Sequence, residues 1–269
     1  MSHSSCADTR TVVMKFGGAS LATPEHFSSV AALIAQEVAR IPHIVVVVSA
    51  MGTMTDDLIR LARTVHPDPP ERESDMLISV GERMSMALLA MALAKIGLPA
   101  VSLTGSQSGI ITTSCHSNAR IIDVRPARIV SSLSRRHIVI VAGFQGVSRE
   151  GEITTLGRGG SDTTAVALGI ALGAAKVQFY KDVPGLCTED PKQNPQAELL
   201  SRLSYQEAIH IVERGAKILH SRSLYLAKAN YLPLHVLSFK PEYQHHGGTI
   251  IEEGAPRAVS PIVYEDSVL

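Results

Sequence analysis

Tryptophan is absent from this 269-residue sequence, and aromatic residues of all kinds make up only 4% of it. Sequence-tolerant binding of single-stranded nucleic acid uses aromatic platforms for the bases, so that class of function is not expected. No surplus of positive charge exists either, because 25 Lys and Arg balance 25 Asp and Glu. Neutrality removes the electrostatic footprint that holds most nucleic-acid partners. Cysteine is scarce: Cys6, Cys115 and Cys187 lie far apart and in no C-x-x-C spacing. An odd, scattered set argues against a disulfide framework or a zinc site and fits a reducing, cytoplasmic location. The eleven histidines include the His245–His246 pair but no H-E-x-x-H spacing, so no metal is assigned to protein ligands. No apolar run reaches the length of a membrane span, and the N-terminal MSHSSCADTR lacks the apolar stretch of a signal peptide. The expectation is a soluble globular chain with neither a membrane nor a nucleic-acid partner.

What is present favours a large core, with 45% apolar and 19% charged residues. Short β-branched runs at 11–16, 44–50, 99–105, 137–144, 176–183 and 232–238 read as strands. Their near-continuous hydrophobicity suits strands covered on both faces, hence a mainly parallel sheet. Helical patterns fill 24–40, 55–65, 74–97, 125–136, 161–173, 204–215 and 220–230, and the alternation predicts an α/β sandwich. Met76, Leu77, Val80, Met84, Ala87, Leu88 and Met91 recur at helical spacing and read as a core-facing stripe. The polar, Pro-rich 64–74 reads as a surface connection, and the tail after Ile251 as peripheral. Residues 1–269 are expected to form one domain with two lobes, about 11–150 and 151–250.

Three segments carry chemistry. In MKFGGAS (14–20) a buried strand delivers Lys15, and Gly17 and Gly18 let the backbone turn and approach a ligand closely. Amide groups there suit phosphate oxygens, with the ammonium nearby, although an ordinary strand-to-helix turn is the simpler account of the motif alone. In TTLGRGGSDTTAVALGIALGA (154–174) Ser161 or Asp162 is expected to cap an Ala-rich helix whose start is a natural anion site. Capping leaves unexplained why Arg158 sits among glycines, a setting in which a guanidinium grips carboxylate or phosphate through two parallel bonds. In SVGERMS (79–85) Glu82 stands on the Met-rich helix, where a lone glutamate is normally solvated.

MKFGGAS, SAMGTMTDDL, SVGERMS, TGSQSG, NARIIDV, VAGFQG, TTLGRGGSDTTA, DVPG, DP and GAKILH occur in that order. From about residue 11 to 250 the sequence resembles the aspartokinases of the amino acid kinase superfamily. The resemblance implies a three-layer αβα sandwich with an amino-acid lobe first and a nucleotide lobe second. It implies phosphoryl transfer from ATP, with Mg²⁺, to the β-carboxylate of L-aspartate. Lys15 and Asp162 would be catalytic, with Lys15 at the transferring group and Asp162 organising it. Ser49, Thr55, Glu82, Arg158 and Ser161 would hold aspartate, Glu82 at its ammonium and Arg158 at its α-carboxylate. Gly17, Gly18, Lys15, Lys181, Asp182, Lys192 and Lys217 would meet the nucleotide. Family members usually carry a small hydroxyl residue before Asp182, Tyr at the place of Cys187 and Arg at that of Lys192; His220-Ser221 likewise replaces a usual His-Pro. Most aspartokinases continue into paired ACT modules, about where this sequence ends, so no ACT module and no lysine or threonine feedback are expected here. Any homodimer would then form through the kinase domain. Two other readings stand beside this one: a kinase of a related amino-acid carboxylate, and a non-catalytic partner of a full-length aspartokinase.

Overall fold

The computed structural model describes residues 8–189, 194, 196–254 and 261–265, so Cys6 and Lys192 lie outside the described residues. In chain order the elements are β1 (Asp8–Phe16), α1 (Pro24–Val38), β2 (His43–Val48), α2 (Met54–Val65), α3 (Glu71–Ile78), α4 (Val80–Lys95) and β3 (Ala100–Leu103). Then come β4 (Ile110–Thr112), β5 (Ile121–Val124), α5 (Ala127–Ser134), β6 (Ile138–Ala142), β7 (Gln145–Ser148), β8 (Ile153–Thr155) and α6 (Gly160–Ala171). The remainder is β9 (Ala174–Lys181), β10 (Arg202–Leu203), α7 (Tyr205–Glu213), α8 (Ser221–Ala229), β11 (Leu234–Ser238) and β12 (Thr249–Ile251).

Eight strands form one sheet in the order β10-β12-β11-β9-β1-β2-β6-β3. From β11 to β3 every pairing is parallel, and β12 turns antiparallel against β11. Side chains alternate between two cores, as the period of two requires. Val12, Met14, Phe16, Ile44, Val46, Val48, Ile138 and Ile140 pack beneath α1 and α4. Val13, Val45, Val47, Val139 and Val141 face the opposite layer, which contains α5, α6, α7 and α8. The expected αβα sandwich with a mainly parallel sheet is therefore present. The same alternation sends Lys15 to the Val13 face, toward α6.

A second sheet, β5-β4-β7-β8, was not read from the sequence. Its strands are three or four residues long, too short for an alternating pattern to stand out.

Two expectations about burial are corrected. The methionine stripe does not face the core as a whole: Met76, Val80 and Met84 are exposed and Met91 is 66% exposed, while Leu77, Ala87 and Leu88 are half-buried and Leu88 packs against the core. Helix α4 is apolar nearly all round, so period cannot select its inner face, which is Gly81, Glu82, Ser85, Leu89 and Leu93. The continuous stretch Glu71–Lys95 is long and apolar enough to span a bilayer by length and composition. Its inward Asp75, Ser79, Glu82 and Ser85 are instead buried within protein. Nor are the described residues near the end of the tail peripheral. Glu265 is fully buried, accepts from Ile121 N at 2.8 Å and pairs with Arg222 at 2.7 Å. Arg222 also donates to the Ala119 carbonyl at 3.1 Å, and Asn230 clasps Val263 through both backbone groups.

Candidate active site

In open parallel sheets the carboxyl ends of strands leave a crevice for ligands, and most of the sequence-predicted residues gather there. Strand β1 ends in Lys15 and Phe16, β2 is followed by Ser49, and β9 ends in Lys181 just before Asp182. A cavity of 920 Å³ is lined by Lys15, Gly18, Ser49, Thr55, Glu82, Arg158, Ser161 and Asp162. A second, of 810 Å³, is lined by Lys181, Asp182, Cys187, Arg214 and Lys217 among others. Of the residues expected at the nucleotide, Lys181, Asp182 and Lys217 line the second cavity, whereas Lys15 and Gly18 line the first together with the expected amino-acid residues. Gly17 lies beside the first, where an added β-carbon would sit 3.5 Å from the Lys15 ammonium.

Asp162 joins the two cavities. Its carboxylate lies 2.7 Å from Lys15 Nζ and 3.3 Å from Lys181 Nζ, with all three groups largely buried. Burial pulls the Asp162 carboxyl upward, yet the Lys15 and Lys181 charges outweigh it and hold the pKa down to about 2. Lys181 is lowered to about 8 by burial, opposed by Asp162 and reinforced by the Lys15 charge. Asp162 does not cap its helix as expected. Helix α6 starts one residue before Ser161, Gly159 at φ 77° occupies the cap position, and no side-chain cap bond forms. A β-carbon on Gly159 would meet the His220 ring at 2.2 Å, so the Arg158 turn closes only around glycine.

Glu82 is not solvated but 3% exposed. One oxygen accepts from Ala50 N at 3.2 Å, while Oε2 has no partner among the described residues. Burial raises its pKa to about 7, against the pull of the Glu82 and Ala50 backbone bonds and the Lys15 charge. A buried carboxylate oxygen without a donor is a seat for a cationic ligand group. Arg158 lines the same cavity, is exposed, and forms no hydrogen bond or ion pair among the described residues. Gly18 lets the turn after β1 press onto the loop that carries Ser49, since a β-carbon there would lie 2.9 Å from the Ala50 carbonyl.

Sequence reasoning missed Ser117, Phe144 and Thr155 in the first cavity, and His210 and Arg214 in the second. Ser117 and Phe144 take φ of 63° and 68°, left-handed values that non-glycine residues rarely adopt and that gather at functional sites. No composition signal announces them. Among the described residues no group of three or more His, Cys, Asp or Glu side chains could hold a metal ion.

The fold and its strand-end crevice define an αβα protein with twin cavities bridged by a lysine–carboxylate–lysine cluster. The sequence profile of the amino acid kinase family matches residues 10–238, and the chain belongs to that family. It is 47% identical over 259 residues to an aspartokinase of Mycolicibacterium smegmatis, covering 96% of this chain and 60% of that one. The chain thus spans about three fifths of the length of that relative. Among solved structures, aspartate kinase from Synechocystis matches with a TM-score of 0.81 and 41% identity, over 93% of this chain and 41% of that one. Escherichia coli aspartokinase III in complex with aspartate and ADP matches with a TM-score of 0.78 and 26% identity, over 92% of this chain and 65% of that one.

Proposed function

We propose that this chain transfers the terminal phosphoryl group of ATP to the β-carboxylate of L-aspartate, giving 4-phospho-L-aspartate. One observation carries the reading: Asp162 ties a lysine of the Glu82–Arg158 cavity to a lysine of the neighbouring cavity, so an acceptor and a phosphate donor would meet at one charged junction. The likeness to aspartokinases, one of them in complex with aspartate and ADP, supports the choice of both substrates. Residues of about 11–150 would supply most of the amino-acid lobe and those of about 151–250 the nucleotide lobe, with Arg158, Ser161 and Asp162 reaching back to the acceptor.

The acceptor carboxylate is ionised near neutrality and needs no base to become a nucleophile. It needs two anionic reactants held in line and their charge offset. Lys15 would stabilise the transferring phosphoryl group, and Asp162 would hold Lys15 and Lys181 at the junction. Glu82 would receive the substrate ammonium on its open Oε2, and Arg158 the α-carboxylate. Ser49, Thr55 and Ser161 would complete the acceptor wall. Gly17, Gly18, Lys181, Asp182 and Lys217 would line the path of the phosphates; Lys192, given the same role, lies outside the described residues. Mg²⁺ would enter with the nucleotide, held mainly by phosphate oxygens and water, so a dedicated protein cage is not required.

The finer parts of the proposal are a cytoplasmic location, a homodimer through this domain, and rates unchanged by millimolar lysine or threonine. The exposed Met76, Val80, Met84 and Met91 support a self-contact. Neither effector amino acid carries a β-carboxylate, which supports weak competition at the acceptor cavity.

A coupled ADP-release assay with purified chain, run over aspartate, close analogues and both effectors, tests the reading. Aspartate-dependent ADP release, with an acyl phosphate trapped by hydroxylamine, is expected. Turnover only with a larger carboxylate would favour the related-acceptor reading, for which the 920 Å³ cavity leaves room. Nucleotide binding without any turnover would sink both.

A further inference from the structure

Asp75 lies on α3, outside both cavities, and is fully buried. Four donors converge on its carboxylate. His116 Nδ1 stands at 2.8 Å, Ser117 N at 3.1 Å, Thr155 N at 3.1 Å, and Thr155 Oγ1 donates at 2.6 Å. Ionised carboxylates are buried only where donors repay the lost hydration, so this convergence is a built feature. Two of the donor residues, Ser117 and Thr155, line the acceptor cavity with Glu82 and Arg158. Ser117 is held at φ 63°, and such conformations persist only where surroundings over-determine them. The loop it belongs to sits directly on Gly157, where a β-carbon would lie 3.0 Å from Asn118 Oδ1 and 3.1 Å from the Ser117 carbonyl. Gly157 immediately precedes Arg158.

Asp75 and Glu82 stand seven residues apart on two helices that run end to end, which places both on the same inward face. We propose that Asp75 is a positioning residue that fixes the separation between Glu82 and the Thr155–Arg158 segment, and so sets the span of the amino-acid grip. The idea rests on the acceptor reading above, since the two groups are there assigned to the substrate ammonium and α-carboxylate. Asparagine cannot replace Asp75. It offers one accepting oxygen, and its NH₂ would confront the Ser117 or Thr155 amide hydrogen.

The test uses the purified chain with Asp75→Asn, and His116→Ala as a milder variant that removes one donor near the surface. A misplacement of about 1 Å can cost up to a hundredfold. Asp75→Asn is therefore expected to raise KM for aspartate about tenfold or more while KM for ATP stays within about twofold. Amide exchange, followed by NMR, is expected to accelerate at least about tenfold at Ser117, Thr155 or both, because only one accepting oxygen remains for the two amides and the NH₂ opposes the other position. His116→Ala should move the same quantities in the same direction by less, and it decides the matter if Asp75→Asn fails to fold. Equal rises in both KM values, an unchanged aspartate KM, or unchanged exchange at the two amides would each overturn the proposal. Should the wild-type chain not phosphorylate aspartate, the functional reading fails, and the two amides alone then decide the positioning.

Discussion

Glu82→Gln separates what the site costs the fold from what it does for the substrate. In an unfolded chain this carboxyl loses its proton near 4.5; burial in the folded chain delays that loss to about 7. Between those values the folded state binds more protons than the unfolded one. The contribution of Glu82 to stability is therefore fully present below pH 4.5 and is lost as pH rises toward 7. A change from 4.5 to about 7 corresponds to roughly 3 kcal/mol, an upper figure because the surroundings relax around the charge. Glutamine keeps the oxygen that accepts from Ala50 N but cannot ionise, so it removes the pH-dependent part. Its buried NH₂ adds a constant penalty of about 1 kcal/mol. Urea unfolding of both chains without ligand, at half-unit steps from pH 4.5 to 8, gives a difference curve in which other titrating groups cancel. The variant should gain about 2–3 kcal/mol on wild type across that window. In turnover, KM for aspartate should rise about tenfold in the wild type between pH 8 and 6, since the ammonium requires the ionised partner. The variant should have a high and nearly flat KM. A difference curve parallel to the pH axis would refute the burial argument, and a wild-type KM for aspartate in Glu82→Gln would refute the ammonium assignment.

Three further outcomes follow from the same geometry. Lys15→Met should lower turnover by two to three decades, about 3–4 kcal/mol of transition-state stabilisation, and stopped-flow ADP release at saturating substrates measures it. Arg158→Lys keeps the charge but loses the planar two-point grip, so KM for aspartate should rise strongly with KM for ATP little changed; a shift confined to ATP would reassign Arg158 to phosphate. Arg222→Ala strands the buried Glu265 carboxylate and should destabilise the chain by about 3–5 kcal/mol, read as a lower urea midpoint with an unchanged slope.

The parallel strands were legible in the sequence because β1, β2, β6 and β9 are short apolar runs buried on both faces. Lys15 was legible at the end of such a strand ahead of a glycine pair, whereas Ser49 and Lys181 were named only through the likeness of their motifs to the aspartokinases. Period analysis misled where a helix offers apolar residues on every side: in α4 a glutamate and a serine face inward while Met84 and Met91 face out. Capping logic erred at Ser161 and Asp162 because Gly159 already closes the helix start. Asp75 could not be read at all. Its donors lie 41 to 80 positions away and carry no local signal. The same is true of Glu265, whose partner Arg222 stands on α8, 43 positions earlier.

Strand β1 pairs on one side with residues 43–48 and on the other with residues 174–181, and α6 lies across it. The earliest segment of the chain is thus the seam along which its two halves are sewn. Severing the backbone between 150 and 151 would leave an N-terminal fragment with an open parallel edge and a C-terminal fragment whose first helix keeps β9 beneath it but loses β1 and β2. The core beneath α1 and α4 would stay almost whole in the first piece, the opposite core would be split between the two, and Lys15 would be parted from Asp162. Such a pair of fragments is suited to reconstitution: each silent alone, and regaining the charged junction only when β1 slots back beside β9.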